Sequence, residues 1–440
     1  MIAPTPCKHA PAERPSTFDP RHFRPVKTRR QFIATVAASA AVSSPIGALA
    51  SEPKAVLKNS GTLSGRNGPE FGSVNAVIQK LKGGPDLPLS FLHPDHHDLA
   101  AWKAKGRAKM LELLQYAPAK CDPNAEVVSR KDCGDYIREE VCFNTTPVLR
   151  VPATVLIPKN ARLPAPAVVA LHSHGGYYMW GREREVESSD AIHPTLKEMR
   201  ERGYGGKAYG IELVRRGYVV IAIDMFYWGE RRVVLDDDPP EWKARSLTLS
   251  DEEVKAYHTR CNRDEEFMAR TLYCAGVSWA GIIAWDDIRT VDYLVTRPDV
   301  DPNRIACVGQ SVGGLRSCYL AALDDRIKAA VVSSWMCSFP NQLAAHIRGI
   351  GFTKIIPGMY HHMDHPDIAS LAMPKPLMVI NGSQDRLFEL AGVHAAHEKI
   401  AKCYAKAGVP EHFKSIIEDA PHQFNAERQA DAWAWFEKWF

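Results

Sequence analysis

From about residue 122 onward the chain is written as short apolar runs set between longer, mixed stretches. "EVVSR", "YIREEVCF" and "VPATVLIP" come first, close together, and read as strands of an antiparallel start to a sheet. "APAVVALHSHGG", "GYVVIAIDM", "RIACVGQ", "IKAAVVSSW", "PLMVING" and "FKSIIED" follow as continuous apolar strands. Helical patterns separate them: one around residues 207–216, the amphipathic "GIIAWDDIRTVDYLVTRPDVDP", then "VGGLRSCYLAALDD", "LAGVHAAHEKIAKCY" and the closing "AERQADAWAWFEKWF". Continuous apolar strands alternating with helices imply a mostly parallel sheet covered on both faces. Ahead of the strands, Leu99, Trp102, Met110, Leu113 and Leu114 have the spacing of an amphipathic helix that ends before Pro118. Residues 51–95 are rich in Gly, Pro and Ser, and "LKGGPDLP" reads as a linker. Two polar and aromatic interruptions, about residues 177–206 and 229–280, read as lid or cap insertions on the sheet edge where ligands bind. The expected division is a leader over 1–50, a linker and helical extension over 51–120, and one sheet-bearing domain over 121–440.

The leader changes the reading of the charge. The chain of 440 residues carries a formal +4, with 55 Lys/Arg against 51 Asp/Glu. Its first fifty residues hold Lys8, Arg14, Arg21, Arg24, Lys27, Arg29 and Arg30 against only Glu13 and Asp19, so the remainder is close to neutral. Nothing in that balance points to nucleic acid. In "TRRQFIATVAASAAVSSPIGALA", Arg29-Arg30 precede a weakly apolar, uncharged run that ends in Ala48-Leu49-Ala50. This resembles a twin-arginine export signal with an A-x-A cleavage site. Cleavage there would release a periplasmic or secreted protein, with the twin-arginine machinery as the precursor's partner. The run is too short and too rich in small residues for a stable membrane anchor. Of ten cysteines nine follow the leader, with no C-x-x-C spacing, so free buried thiols are expected. Cys133 and Cys142 could face each other across a hairpin.

The candidate chemistry starts at "RIACVGQSVGGLRS". Ser311 lies in G-x-S-x-G between Gly309 and Gly313, after an apolar strand and before a helix with small residues at its start. That strand–turn–helix setting is what a nucleophile elbow requires. The helix N-terminus behind it offers unpaired N–H groups to an oxyanion. A serine hydroxyl needs a base, and the base an orienting carboxylate. "PLMVINGSQDRLF" puts Asp385 just past one strand end, and "FKSIIEDAPHQF" puts His422 just past another. His394, His397, His412, Glu389 and Asp419 compete. His394 and His397 fall inside a helical pattern, however, and His412 precedes its strand. "LHSHGG" follows an earlier strand and can supply a second backbone donor, from His174 or else Gly175, beside the N–H of Val312.

With these elements in order, the chain resembles the α/β-hydrolase superfamily, and within it the dienelactone-hydrolase and acetyl-xylan-esterase-like branch. The phrases that carry the resemblance are "LHSHGG", "DMFYWGERR", "WDDIRTVDYLVTRPDVDPNRIACVGQSVGG", "ALDDRIKAAVVSSW" and "LMVINGSQDRLF", over roughly residues 97–440. It implies an α/β-hydrolase fold with cap insertions and a serine esterase acting on acetyl-xylan-like or related carbohydrate or aromatic esters. The implied site is Ser311, Asp385 and His422, with the N–H groups of His174 and Val312 at the oxyanion. One departure is Val312, where glucuronoyl-esterase-like relatives carry arginine directly after the nucleophile. Another is that position 311 is Ser and not the Cys of some members. A peptidase or amidase on the same scaffold, or a catalytically silent binding protein, are the competing readings. No cofactor is implied. The His clusters "HPDHHD" and "YHHMDH" and the pair His172-x-His174 have spacings that can ligate zinc, but no H-E-x-x-H motif accompanies them. Asp224 and "MFYWGERR" read either as a pocket rim through Glu230 and Arg231 or as a loop-fixing ion pair. Trp433, Phe436 and Phe440 read as the packing face of the last helix.

Overall fold

A computed structural model of the protein describes residues 71–440, apart from 85, 346, 348 and 349. The expected leader over residues 1–50, with its arginine pair, lies outside the described residues. Among the described residues one nine-stranded sheet organises the chain. Its strands are β1 (Glu126–Asp132), β2 (Tyr136–Thr146), β3 (Leu149–Pro158), β4 (Ala165–Leu171), β5 (Val219–Ile223), β6 (Val300–Gln310), β7 (Ile327–Ser333), β8 (Leu377–Gly382) and β9 (Phe413–Glu418). The order across the sheet is β1-β2-β3-β5-β4-β6-β7-β8-β9. The first three strands form an antiparallel meander, β3 pairs antiparallel with β5, and every pairing from β5 to β9 is parallel.

Strands β4, β5, β7 and β8 and the second half of β6 are largely buried on both faces, which is why they read as unbroken apolar runs, while the edge strand β9 is half-buried. Along β6, Ile305 and Cys307 face one core with Trp102, Leu315 and Ile400, while Ala306 and Val308 face the other with Tyr209, Trp433 and Phe436. The last helix, Ala426–Trp439, thus spends Trp433 and Phe436 on packing, both under 3% exposed. Cys133 stays a free thiol just past β1, so it makes no pair with Cys142.

Two segments are more ordered than their composition suggests. A short helix, Asn75–Leu81, occupies part of the Gly/Pro/Ser-rich stretch, with Val74, Val77 and Leu81 left on its exposed side. The second interruption carries a 24-residue helix, Asp251–Cys274. Its start is a reciprocal cap, in which Ser250 Oγ accepts from Glu253 N (3.2 Å) and Glu253 Oε2 accepts from Ser250 N (2.8 Å).

The registers bring the strand ends level. Leu171 pairs with Gly309, Gln310 with Ser333, Ser333 with Ile380 and Gly382 with Glu418. The residues that follow, beginning at His172, Ser311, Ser334, Ser383 and Asp419, therefore leave the sheet along one carboxyl edge, where open α/β sheets bind their ligands.

Candidate active site

Ser311 sits at the tip of the turn between β6 and the helix Val312–Leu323, with φ 59° and ψ −122°. A positive φ on a residue with a Cβ costs on the order of 1–3 kcal/mol and persists only where the surroundings enforce it. Here the enforcement is a lack of space. A Cβ on Gly313 would lie 1.9 Å from the carbonyl oxygen of Leu171, and one on Gly309 would lie 2.4 Å from the backbone of Gly313. The ends of β4 and β6 and the start of the helix meet at van der Waals distance, and only glycine fits both positions. Ser311 N donates to Ser333 O (2.9 Å), which ties the elbow to β7. The serine hydroxyl does not cap its own helix. Val312 is the first residue of that helix, so its N–H has no carbonyl one turn behind it.

Asp385 and His422 meet on the same edge. His422 Nδ1 lies 2.5 Å from Asp385 Oδ2, and Asp385 Oδ1 accepts from Leu387 N (2.9 Å). An ionised carboxylate only accepts, so Nδ1 carries the proton and Nε2 is the ring's accepting nitrogen. The two loops are stitched together by Ser383 N to Glu418 O (2.7 Å) and Gln384 N to Ala420 O (3.0 Å). Ser334 then ties them to the elbow's neighbour, donating its N–H to Ile380 O (2.7 Å) and its hydroxyl to Gln423 O (2.9 Å). Asp385 and His422 are thus joined directly. Ser311 shares their edge through Ser333 and Ser334, and no hydrogen bond from its hydroxyl to His422 is present among the described residues. Such bonds commonly tighten only when substrate is bound.

The loop after β4 is built from buried polar contacts. His172 Nε2 accepts from Met225 N (2.9 Å), so its proton is on Nδ1, which donates to Ser173 O (2.9 Å). Burial and the nearby guanidiniums of Arg316 and Arg184 hold its pKa well below the usual histidine range, which keeps the ring neutral. Arg184, fully buried, donates to the carbonyls of Ser173, His174 (3.0 Å), Tyr177 and Trp180 (2.8 Å). In a trans peptide the N–H points opposite the preceding C=O. With the carbonyl of Ser173 held on Arg184, the N–H of His174 therefore faces away from that side. The His174 ring accepts from Gly176 N at Nδ1 (3.1 Å) and donates from Nε2 to Glu265 Oε1 (2.6 Å).

Other residues near this edge had no sequence signal. Trp335 is 3% exposed and lies 5.6 Å, centroid to centroid, from Phe388, whose ring is 6.3 Å from that of His422. The Lys354 ammonium lies 5.0 Å from the centre of the Trp335 ring. Burial pushes its pKa down to about 8, against the opposing pull of Glu265 and Asp385. Arg316 makes a bidentate pair with Asp287 and donates to His172 O (3.2 Å), tying the elbow helix to the loop after β4.

The competing residues have structural duties. His397 lies in the core between Ser415 Oγ (2.6 Å) and Asn381 Oδ1 (2.9 Å). Glu389 caps its helix through Gly392 N (2.9 Å), and Asp419 accepts from Ser383 and Gln384. His412 precedes β9, against the carbonyl of Pro374 (2.5 Å). Asp224 is fully buried and accepts from the backbone N–H groups of Arg182 and Glu230 (2.9 Å each) and from the Arg182 guanidinium. Glu230 also pairs with Arg182 (2.5 Å), and Arg231 with Asp286 (2.7 Å). This network fixes the loop after β5. Among the described residues no three His, Cys, Asp or Glu side chains gather as a metal ion would need.

A mostly parallel sheet with a strained serine between a strand and a helix, and with a histidine–carboxylate pair past the last strands, defines the α/β-hydrolase fold. The sequence profile of the Abhydrolase family matches residues 53–237 and 248–432, and the chain belongs to that family. The protein named "Putative hydrolase YtaP" of Bacillus subtilis (strain 168) is 27% identical over 342 residues, 77% of this chain and 99% of that one. Among solved structures, a "putative acetyl xylan esterase" of Bacteroides fragilis NCTC 9343 aligns with a TM-score of 0.59 at 20% identity, over 78% of this chain and 82% of its own. A glucuronoyl esterase from Solibacter usitatus aligns with a TM-score of 0.56 at 16% identity, over 81% and 98%. At such identities the structural likeness speaks to the fold.

Proposed function

We propose that this chain is a serine esterase that hydrolyses carboxylic esters through an acyl-enzyme. The observation that carries the reading is one edge bearing both a strained elbow serine, Ser311, and a His422 ring fixed by Asp385 with Nε2 left to accept a proton. Ser311 attacks the ester carbonyl as His422 takes its proton. The N–H groups of Val312 and His174 receive the oxyanion. The tetrahedral species collapses when His422 returns the proton to the departing alcohol, and water then repeats the sequence on the acyl group. Loss of one oxyanion donor typically lowers kcat by about 10²–10³.

The substrate class we propose is an acetyl-xylan-like or related carbohydrate or aromatic ester. The support is the sequence resemblance, together with the carbohydrate esters named for the two solved relatives. Export by the twin-arginine route, supported by Arg29-Arg30 and the Ala48-Leu49-Ala50 site, would bring the enzyme to such material.

The test is a purified chain lacking the leader, assayed on 4-nitrophenyl acetate and on acetylated xylo-oligosaccharides. Wild type should turn over both and take up a fluorophosphonate label. Ser311→Ala should lose the label and fall by several orders of magnitude while staying folded, because the three side chains act as a unit. Activity should persist after exhaustive EDTA. Labelling retained in Ser311→Ala, or activity lost on chelation and restored by zinc, overturns the mechanism. Arg29-Arg30 replaced by Lys-Lys should leave the precursor in the cytoplasm, and unchanged delivery would refute the export route.

A further inference from the structure

We infer that Glu265, on the inserted helix Asp251–Cys274, is a positioning residue for the oxyanion donor of His174. This rests on the esterase reading above. The loop after β4 passes through two glycines with left-handed backbone, Gly175 at φ 58° and Gly176 at φ 76°, and such a segment keeps one conformation only if side chains hold it. Two anchors do so at different points of the loop. Arg184 holds the carbonyls of Ser173 and His174 from within the protein, and the His174 ring holds the other end. The ring spans from Gly176 N to Glu265 Oε1. Because Nδ1 accepts from a backbone N–H, Nε2–H must donate, and Glu265 is the group that receives it.

Glu265 is itself fixed. It is 5% exposed and accepts a second hydrogen bond from Tyr178 OH (2.9 Å), whose oxygen in turn accepts from Asn262 Nδ2 (3.1 Å). Trp228 closes the arrangement. Its indole N–H donates to His174 O (3.2 Å), its ring meets the His174 ring edge-on at 4.9 Å, and Tyr178 stacks on it at 5.1 Å. With the ring held by Glu265 of the second insertion and both carbonyls held by the buried Arg184 of the first, the His174 N–H has one direction left. The inserted helix is thus part of what aims the donor. A purely packing role for Glu265 would alter stability without a selective effect on the transition state.

The test uses Glu265→Leu, which removes the acceptor at similar volume, Glu265→Asp, which withdraws it by one methylene, and Glu265→Gln, which keeps a carbonyl for Nε2–H. Wild type and Ser311→Ala run beside them on 4-nitrophenyl acetate. An inactive wild type, or an active Ser311→Ala, defeats the esterase reading and leaves the loop geometry to the remaining measurement. Glu265→Leu and Glu265→Asp should lower kcat about 10- to 100-fold with KM within twofold, since a misplacement of about 1 Å costs on that order. Affinity for a trifluoromethyl ketone, which forms an oxyanion on Ser311, should fall by the same factor. Glu265→Gln should recover most of the loss. Independently of activity, the downfield proton resonance of the His174–Glu265 bond should vanish in Glu265→Leu and persist in Ser311→Ala. If Glu265→Leu fails to fold, Glu265→Asp carries the test alone. A folded Leu or Asp variant with kcat within twofold of wild type, or with its loss confined to KM, overturns the inference.

Discussion

The pair Arg316–Asp287 offers a measurement with opposite outcomes for two views of its role. Arg316 lies on the elbow helix and Asp287 on the helix Trp279–Leu294, each 1% exposed, with contacts of 3.0 Å (Nε to Oδ2) and 2.6 Å (Nη2 to Oδ1). Burial pushes the Asp287 carboxyl up in pKa, and Arg316 pulls it back down. Removing either partner strands the other charge in the core, at a cost of about 3–5 kcal/mol. If the two side chains acted independently, the double variant Arg316→Met/Asp287→Leu would lose the sum, roughly 6–10 kcal/mol. If they act as a pair, the double variant strands no charge. It loses only the donor to His172 O, which is worth about 1–3 kcal/mol when a buried acceptor is left alone. The coupling worked from these contacts is therefore about 6 kcal/mol. Urea unfolding of the four proteins, followed by far-ultraviolet circular dichroism and by tryptophan fluorescence, reads it directly wherever the two transitions coincide. The expected order of midpoints is wild type, then the double variant, then both singles. A double variant less stable than either single would refute the reasoning.

Three further outcomes follow from the geometry. Asp385→Asn should keep the fold and lower kcat about 10³–10⁴-fold, because an amide presents an N–H to Nδ1 and favours the wrong ring tautomer; kcat within tenfold of wild type would show that another group orients His422. Gly313→Ala forces a methyl to 1.9 Å from Leu171 O and so requires backbone movement at the elbow; it should cost at least about 1–3 kcal/mol in urea and abolish phosphonate labelling, and a normally labelled variant would contradict the packing described. His365 and His397 are buried and held down to about 4 from an ordinary 6.5, chiefly by desolvation. Their folded-state values lie below the unfolded ones, so the stability they contribute is complete above pH 6.5 and is lost as pH falls toward 4. Each is worth roughly 2 kcal/mol between pH 7 and pH 5. His397→Gln, which cannot titrate, should show a smaller drop in urea midpoint over that interval than wild type, and an equal drop would remove His397 from the account.

The parts of this molecule that were readable in advance are those whose signal is local. Ala165–Leu171 and the apolar half of β6, residues 305–310, announce themselves because strands buried on both faces tolerate few polar residues, whereas the polar start of β6 at residues 300–304 does not. Gly309 and Gly313 announce the elbow because the clash that excludes a side chain lies within the turn and its neighbouring strand. Asp385 and His422 stand out by their place just beyond apolar runs, and the fold joins the two side chains to each other. Glu265, Arg184, Arg316 and Lys354 carried no such mark. Each is a charged residue in a helix or a polar insertion, and its meaning comes from a partner elsewhere in the chain. Glu265 reaches His174 across 91 positions and Arg316 reaches His172 across 144, and no periodicity encodes that. The helix Asp251–Cys274 did leave one local trace, the S-x-x-E of Ser250 and Glu253 at its start. The helix Asn75–Leu81 was hidden because its neighbours Gly72, Gly83, Gly84 and Pro85 dominate the composition of the stretch.

The placement of His422 also ties the proposed base to distant parts of the chain. Its loop is held by contacts of long sequence separation, since Phe424 N donates to Gly203 O (2.8 Å) and Gln429 Nε2 to Tyr204 O (2.8 Å), joining the helix Ala426–Trp439 to a segment more than two hundred residues earlier. Contacts of such long sequence separation form only after the intervening chain has closed its loops. On the proposed reading, a chain folded only as far as β7 would hold the elbow serine without the base proposed to activate it. The proposed hydrolysis would therefore require β9 on the sheet edge and Ala426–Trp439 docked, which couples the proposed activity to contacts between residues more than two hundred positions apart.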